Sequence, residues 1–320
     1  MPQLLPQHSR YDFVPLGERK DYSWPGGRRL AFLLTTNVEW FAFGAGLGHD
    51  PAKLGEPQTH RNYSWRDYGN RIGVWRLLEL FDQLKLPAAH NTNSLLYEHA
   101  PQIMAAIRAR GDEVVAHGRT NAENLKGLWQ PDEERILREV TETIARHEGA
   151  PPAGWMGSGA YENAHTPDLL KELGYKYLMD WPMDDQPVWL RTRAGPILSV
   201  PYPIELNDAQ VVIHRRQDAS DFCDMIVDQF DEMIEQSERH PLVMNVSVHT
   251  YVFGQPFRLR RLRAALTHCQ RHAKAARGAG PLPAACEGEP RMVDAPARRG
   301  GVLLPAGAGH HSLSVSRSAA

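Results

Sequence analysis

Short apolar runs alternate along this chain with longer stretches in which apolar residues recur every three or four positions. The short runs at residues 30–34, 113–116, 197–204 and 242–248 each lead into polar sequence. Their length and composition predict strands that are buried inside a sheet. The longer stretches, such as residues 131–148 and 256–269, predict amphipathic helices. A further helix is predicted from Tyr68, with a buried stripe of Ile72, Trp75, Leu78, Phe81 and Leu84. The alternation predicts an α/β fold whose parallel sheet closes into a barrel or is doubly wound.

Polar residues follow the predicted strands at their carboxyl ends. At five strand ends they are Asn37 with Glu39, His117 with Asn121, Ser158, Asp180 and His249. Catalytic groups collect at the carboxyl ends of parallel strands, so these side chains are expected to share one rim of the sheet. A single histidine at a strand end is more often a hydrogen-bonded core residue, but an ordered set of polar residues favours a site.

Glu39 is the carboxylate that the first strand carries to this rim. It lies between Val38 and Trp40 and is followed by Phe41 and Phe43. Apolar neighbours are expected to desolvate it and to raise its pKa, which would suit it to proton transfer. The alternative is a solvated surface glutamate, which is the commoner fate of this residue type.

Composition and charge narrow the class of protein. The chain has 320 residues, 36 basic and 38 acidic side chains, and three widely spaced cysteines. Balanced charge gives no reason to expect nucleic acid or an anionic membrane as partner. The cysteines form no pair typical of a disulfide framework or a thiolate zinc site. No window is apolar enough for a signal peptide or a transmembrane span, so a cytoplasmic protein is expected.

Both ends of the chain differ from the alternating middle. Residues 1–25 form an irregular arm with aromatic residues at Tyr11, Phe13, Tyr22 and Trp24. We expect the arm to pack on the barrel or on a neighbouring subunit, which would make the protein a homo-oligomer. Residues 273–320 are dominated by Ala, Gly, Pro and Arg, without a helical or strand period, and are predicted to be disordered. The catalytic domain is therefore expected to span residues 1–272.

The ordered strand ends resemble the NodB-homology, or polysaccharide deacetylase, family. Its five motifs match 37–40, 117–121, 155–161, 180–181 and 246–249 in order, although the third lacks the family's arginine. The resemblance implies a distorted, incomplete (β/α) barrel of the seven-stranded type. It also implies that Glu39 is the base, that Asp180 and His249 join the catalytic residues, and that a small molecule is the substrate.

Two of the three positions that carry metal ligands in the family differ here. The matching residues are Trp40, His117 and Asn121. Indole does not bind metals and an amide is a poor zinc ligand, so a site that needs about three donors retains one. This pattern resembles the metal-independent branch of the family, which includes cyclic imide hydrolases and a bacterial allantoinase. Three further stretches, residues 21–27, 65–71 and 201–208, also resemble that branch.

The resemblance implies hydrolysis of a carbon–nitrogen bond in a small cyclic imide or ureide, with no cofactor. Glu39 would activate water, His117 would orient Glu39 or the water, and His249 would stabilise the oxyanion or protonate the departing nitrogen. The residues expected to contact the substrate are Asn37, Asn121 and Ser158 through hydrogen bonds, and Trp40, Trp155, Tyr161 and Trp181 as aromatic walls.

Three alternatives remain open from the sequence. The first is a deacetylase of N-acetylated sugars that uses zinc or another divalent metal. The second is a catalytically inactive barrel that binds a carbohydrate or ureide. The third is an α/β protein in which the strand-end histidines are structural. We rank it last because the polar residues at the strand ends form an ordered set.

Overall fold

The computed structural model of the protein describes residues 8–44, 58–275 and 279–281. Its sheet has the strand order β6-β7-β5-β4-β3-β2-β1-β8, and a further strand, β9, pairs with the start of β1. All neighbours on this path are parallel except β6 and β7. The strands are β1 (Leu30–Val38), β2 (Ala89–Thr92), β3 (Glu113–Ala116), β4 (Gly154–Trp155), β5 (Tyr177–Leu178), β6 (Val188–Leu190), β7 (Ile197–Ser199), β8 (Leu242–His249) and β9 (Ala279–Pro281).

The sheet curls into a barrel that stays open between β7 and β8. Across this opening Asn207 forms an isolated parallel bridge with Ser247. The Asn245 side-chain amide donates to the carbonyl of Pro201 at 3.0 Å. Loop segments rather than a complete strand therefore close the gap, and the predicted distorted, incomplete barrel is confirmed. The seven parallel strands of the path, β1 to β5 with β7 and β8, agree with the seven-stranded type.

Helices cover the outside of the sheet, and most of them begin and end where the sequence predicts. Gly111 and Gly149 take left-handed conformations (φ 71° and 80°) and end α4 and α5, as expected for glycine at these positions. The helices are α1 (His60–Tyr68), α2 (Val74–Leu84), α3 (Leu96–His99), α4 (Pro101–Arg110), α5 (Gln130–Glu148), α6 (Thr166–Glu172), α7 (Ala219–Ser237), α8 (Thr250–Phe253) and α9 (Pro256–Ala275).

One predicted helix face is wrong in part. The sequence placed Ile72 and Trp75 on the buried face of a helix from Tyr68, but they are 41% and 40% exposed. The helix begins earlier, at His60, and a π-helical turn (Gly69–Gly73) joins α1 to α2. A π turn holds an extra residue and so rotates the residues after it relative to a regular helix. The buried face of α2 therefore carries Val74 and Leu77.

The amino-terminal arm packs on the barrel, as predicted. Trp24 is buried and its indole nitrogen donates to the carbonyl of Leu242 at 3.1 Å. The Arg10 guanidinium binds both carboxylate oxygens of Asp168, at 2.8 and 2.7 Å. Phe13 and Leu16 are 83% and 38% exposed, so the described part of the arm leaves two large apolar side chains uncovered.

The carboxyl-terminal prediction falls mostly outside the described residues, which omit 276–278 and 282–320. The disorder of the tail and the boundary at residue 272 therefore stay predictions. The described part of the tail includes β9, a strand that the sequence did not predict. Cys223 and Cys269 are buried core residues. Of the helices that the structure describes, none combines the length and hydrophobicity needed to span a bilayer.

Candidate active site

Glu39 lies directly beyond the carboxyl end of β1, where that strand passes between β2 and β8. The parallel register pairs Asn37 of β1 with Asn91 of β2 and with His249 of β8. Glu39 is 5% exposed, and its backbone carbonyl accepts a hydrogen bond from the Asn70 side chain at 2.8 Å. The first strand therefore delivers a nearly inaccessible carboxylate to the centre of the rim.

Three polar side chains surround one oxygen of this carboxylate. Asn121 Nδ2 donates a hydrogen bond to Glu39 Oε1. The Nε2 atoms of His117 and His249 lie 3.5 and 3.6 Å from the same oxygen. The other oxygen, Oε2, is buried and has no hydrogen-bond partner among the residues that the structure describes. The sequence prediction that Glu39, His117, Asn121 and His249 converge on one rim is therefore matched by the geometry.

His117 is held by its neighbours so that Nε2 points toward the carboxylate. Its Nδ1 atom lies 2.6 Å from the carbonyl of Met156, which can only accept, so Nδ1 carries a proton. The backbone carbonyl of His117 accepts from the Ser158 hydroxyl at 2.8 Å and from the Asn93 side chain. Among the described residues Nε2 has no hydrogen-bond partner, and it is the ring nitrogen that faces the rim.

His249 is fixed by a buried carboxylate on its other side. Nδ1 of His249 lies 2.6 Å from Asp208 Oδ1, and the backbone N–H of His249 donates to Asp208 Oδ2 at 2.8 Å. Asp208 is completely buried. Burial by itself would lower the pKa of His249, but the charges of Asp208 and Glu39 outweigh it and raise the pKa. His249 is therefore favoured as an imidazolium.

The electrostatic state of Glu39 differs from the sequence expectation. Burial alone would raise its pKa, as expected from its apolar neighbours. The charge of His249 and the hydrogen bond and charge of His117 outweigh burial and lower the pKa to about 2. The expectation of a raised pKa was wrong, because the sequence shows the flanking apolar residues but not the distant cationic ones. Glu39 is ionised at neutral pH.

Asp180 forms a second acidic group with Glu162. Asp180 Oδ1 accepts from the backbone N–H of Gly157 at 2.8 Å, next to the residue that holds His117. Burial raises the pKa of Asp180 to about 6. Burial and the charge of Asp180 raise the pKa of Glu162 well above its usual range. One proton shared between the two carboxyl groups is therefore stable at neutral pH.

Comparisons with known proteins agree with this architecture, although no family model matches the chain. A Schizosaccharomyces pombe protein named as a candidate polysaccharide deacetylase is 28% identical over 261 residues, which cover 76% of this chain and 80% of that protein. A Helicobacter pylori peptidoglycan deacetylase is 31% identical over 110 residues, 34% of this chain and 37% of that protein. The solved structure of Puue allantoinase superimposes with a TM-score of 0.73 at 24% identity, covering 82% of this chain and 91% of that one.

The chain is similar to members of the NodB-homology, or polysaccharide deacetylase, family. Its departure from the family's metal-binding pattern has a structural counterpart. Trp40, at the first ligand position, stacks on His99 with ring centroids 4.5 Å apart. Asn121, at the third position, directs Nδ2 to Glu39 and accepts at Oδ1 from Asn93 at 3.1 Å. His117 is the one imidazole in this set.

The donors at the three family positions therefore do not fit a three-ligand metal site. Within residues 8–44, 58–275 and 279–281, no group of three or more His, Cys, Asp or Glu side chains is arranged to hold a metal ion. The centre of the rim instead holds a carboxylate, an amide and two imidazoles, from Glu39, Asn121, His117 and His249.

Three residues predicted to hydrogen-bond the substrate are bonded within the protein. The Asn37 side chain donates to Tyr202 and Ser247 and accepts from Asn91, at 3.1, 2.9 and 2.9 Å. Asn121 holds Glu39, and Ser158 holds the backbone of His117. All three side chains therefore hold neighbouring parts of the barrel, Asn121 the Glu39 carboxylate and Ser158 the backbone of His117.

The aromatic residues predicted as walls lie in different surroundings. Trp155 is fully buried and meets Tyr175 edge-on, with ring centroids 5.8 Å apart, so its ring is core. Trp40 and Trp181 pack against the same core cluster, and Trp181 Nε1 donates to Glu162 at 2.6 Å. Tyr161 is 43% exposed. The four aromatic residues therefore do not line one common slot in the structure.

The candidate site contains polar residues to which the sequence assigned no role. Asp208 and Asn70 belong to stretches that carry the resemblance, at 201–208 and 65–71, as does the buried Arg66. Asn93 and Glu162 lie in loops, and no sequence motif marked either of them as a site residue. Nothing in the local sequence indicates which distant side chain each of them contacts.

Proposed function

We propose that the protein hydrolyses a carbon–nitrogen bond in a small cyclic imide or ureide, with water activated by Glu39 and without a metal ion. The observation that carries this proposal is the arrangement of two imidazole Nε2 atoms, 3.5 and 3.6 Å from one oxygen of a buried glutamate. The names of the relatives, deacetylase and allantoinase, support hydrolysis of a carbon–nitrogen bond. The substrate class and the absence of metal are the finer part of the proposal.

Water binds at the free oxygen of Glu39. Among the described residues Oε2 has no hydrogen-bond partner, while Oε1 is held by Asn121. A water molecule that donates to Oε2 and lies beside His117 Nε2 has its own lone pair directed at the substrate carbonyl. The oxygen of this water forms the new bond to the carbonyl carbon, and Glu39 accepts the proton that is released.

The low pKa of Glu39 at rest does not prevent this step, because it depends largely on the charge of His249. As the carbon–nitrogen bond breaks, His249 gives its Nε2 proton to the departing nitrogen and loses its charge. The proton affinity of Glu39 rises at the same moment. Glu39 and His249 Nε2 are 3.6 Å apart, so the proton taken from water can return to His249 and restore the resting site.

An imide suits a site without a Lewis acid. Its nitrogen lone pair is shared between two acyl groups, so each carbonyl is more electrophilic than that of an ordinary amide and the leaving nitrogen anion is stabilised. A metal ion contributes several kcal/mol of charge stabilisation in hydrolysis of less activated carbonyls. Asp180 and Glu162, with their shared proton, offer one donor and several acceptors for the N–H and C=O groups of an imide ring.

A metal-dependent deacetylase of N-acetylated sugars is the second candidate, because two relatives carry deacetylase names. A hydrolysis screen separates the two. Purified protein is assayed with succinimide, hydantoin, dihydropyrimidine, allantoin and N-acetylglucosamine oligomers, with and without a chelator. We expect ring opening of an imide or ureide at a rate that the chelator does not change. Acetate release from the oligomers that the chelator abolishes would establish the deacetylase instead.

A further inference from the structure

Arg66 is a buried cation beside the two segments that carry Glu39 and His249. Arg66 belongs to α1 and is 2% exposed. The guanidinium carbon lies 3.8 Å from the ring centroid of Phe41, two residues beyond Glu39. One helical turn further on, Asn70 donates to the backbone carbonyl of Glu39 at 2.8 Å. The same helical face therefore holds the end of β1 at two points.

The helix reaches this position because two glycines, Gly69 and Gly73, allow its backbone to pack directly against the start of α8. A Cβ atom on Gly69 would lie 2.6 Å from Thr250 Oγ1 and 2.8 Å from the Tyr251 backbone nitrogen. A Cβ atom on Gly73 would lie 2.1 Å from the Thr250 carbonyl oxygen. Thr250 directly follows His249. The helix therefore lies against both the Glu39 segment and the His249 segment.

The titratable groups whose charges act on Arg66 come from three elements. They are Glu39 after β1, His249 at the end of β8 and Tyr251 on α8. Burial and the charge of Glu39 raise the pKa of Tyr251 well above its usual range, so its phenol is neutral. A guanidinium remains charged in proteins. Among these three groups, Glu39 is the anion that a fixed charge on Arg66 stabilises.

We propose that Arg66 is a positioning residue of the active site, whose buried positive charge fixes the Glu39 carboxylate and acts on His249 in the direction opposite to Asp208. This proposal rests on the proposed function for its catalytic meaning. Asp208 favours the imidazolium, and Arg66 disfavours it. The balance leaves His249 charged at rest but able to release its proton.

The sign of the effect distinguishes this role from a structural one. Removing the guanidinium raises the pKa of His249, because a repelling charge is lost. The pKa of Glu39 rises for the corresponding reason, since an attracting charge is lost. A loss of packing alone lowers activity at every pH and leaves the titration of His249 where it was.

The test compares Arg66→Gln and Arg66→Lys with the matched control Arg71→Gln, an exposed arginine in the adjoining π turn. Two measurements are made on each: the pH dependence of kcat/KM, and the titration of the His249 Cε1 proton by NMR, assigned by its loss in His249→Gln. We expect Arg66→Gln to move the alkaline limb and the NMR titration to higher pH. We expect kcat/KM at neutral pH to fall by about 100-fold, as for a misplaced catalytic group.

Arg66→Lys keeps the charge but loses the planar contact with Phe41, so it should shift both curves in the same direction by less. Arg71→Gln should shift neither. A His249 titration that is unchanged or moves to lower pH in folded Arg66→Gln overturns the proposal. If Arg66→Gln does not fold, an unchanged His249 titration in Arg66→Lys overturns it instead. Should no substrate be hydrolysed, the proposed function fails, while the NMR titration still decides the role of Arg66.

Discussion

Asp208 holds His249 through two hydrogen bonds, one to the ring and one to the backbone. Oδ1 lies 2.6 Å from Nδ1, and Oδ2 accepts from the backbone N–H at 2.8 Å. The double contact fixes both the position of the residue and the rotation of its ring. The second ring nitrogen, Nε2, is thereby directed at Glu39, 3.6 Å away. The buried carboxylate also raises the pKa of the imidazole, which supports the proposed role of His249 as the acid of the reaction.

The first prediction concerns this pair. In Asp208→Asn the attraction that raises the pKa of His249 is lost, so the pKa falls and the alkaline limb of kcat/KM moves to lower pH. This shift is opposite in direction to the one expected for Arg66→Gln. We expect kcat/KM at neutral pH to fall by at least about 100-fold, which is the lower end of what a general acid contributes. The measurement is a pH–rate profile with the substrate that the screen identifies.

The matched control is Asp231→Asn. Asp231 also pairs with a histidine, His268, at 2.8 Å, but this pair lies on the surface between α7 and α9. The control should keep the wild-type profile. An alkaline limb that stays in place in Asp208→Asn would show that His249 is not the acid.

The second prediction concerns Glu39→Gln. Glutamine keeps the size of the side chain and can still accept from Asn121, so the fold is expected to remain intact. It cannot take a proton from water, and turnover should fall by about 100- to 10,000-fold. Initial rates together with circular dichroism measure the two effects separately.

Glu98→Gln, on the exposed face of α3, is the control for the loss of one negative charge. It should leave the rate unchanged. Near-normal turnover in a folded Glu39→Gln protein would remove Glu39 from the mechanism.

The third prediction tests the close packing of the helix against α8. In Gly73→Ala the new Cβ would lie 2.1 Å from the Thr250 carbonyl oxygen and 3.3 Å from the Gly254 Cα, so backbone must move. We expect the free energy of unfolding to fall by about 1–3 kcal/mol, the usual cost of overpacking. Activity should fall further than stability explains, because Arg66 and Asn70 move with the helix. Urea denaturation and initial rates give the two values.

Gly17→Ala is the control, since a Cβ at Gly17 meets nothing within 4 Å. Its free energy of unfolding should match that of the wild type. A Gly73→Ala protein with wild-type stability would mean that the two segments do not pack as closely as the structure shows.

Several features of this protein follow from its sequence alone. The strands end in polar residues because a parallel sheet exposes only its carboxyl edge to a ligand, and that pattern is readable without coordinates. Glu39, His117, Asn121 and His249 were placed on one rim in this way. The loss of the family's metal ligands at Trp40 and Asn121 is likewise a property of the sequence, since side-chain chemistry decides it.

The tertiary structure decided everything that depends on contacts between distant segments. The pKa of Glu39 is lowered rather than raised because His117 and His249, 78 and 210 residues further along the chain, supply charge that outweighs local burial. The hydrogen bonds of Asn37 and Ser158 are satisfied inside the protein by partners that no local pattern names. Periodicity records which face of an element is buried, whereas electrostatic interactions depend on distances that only the folded chain sets.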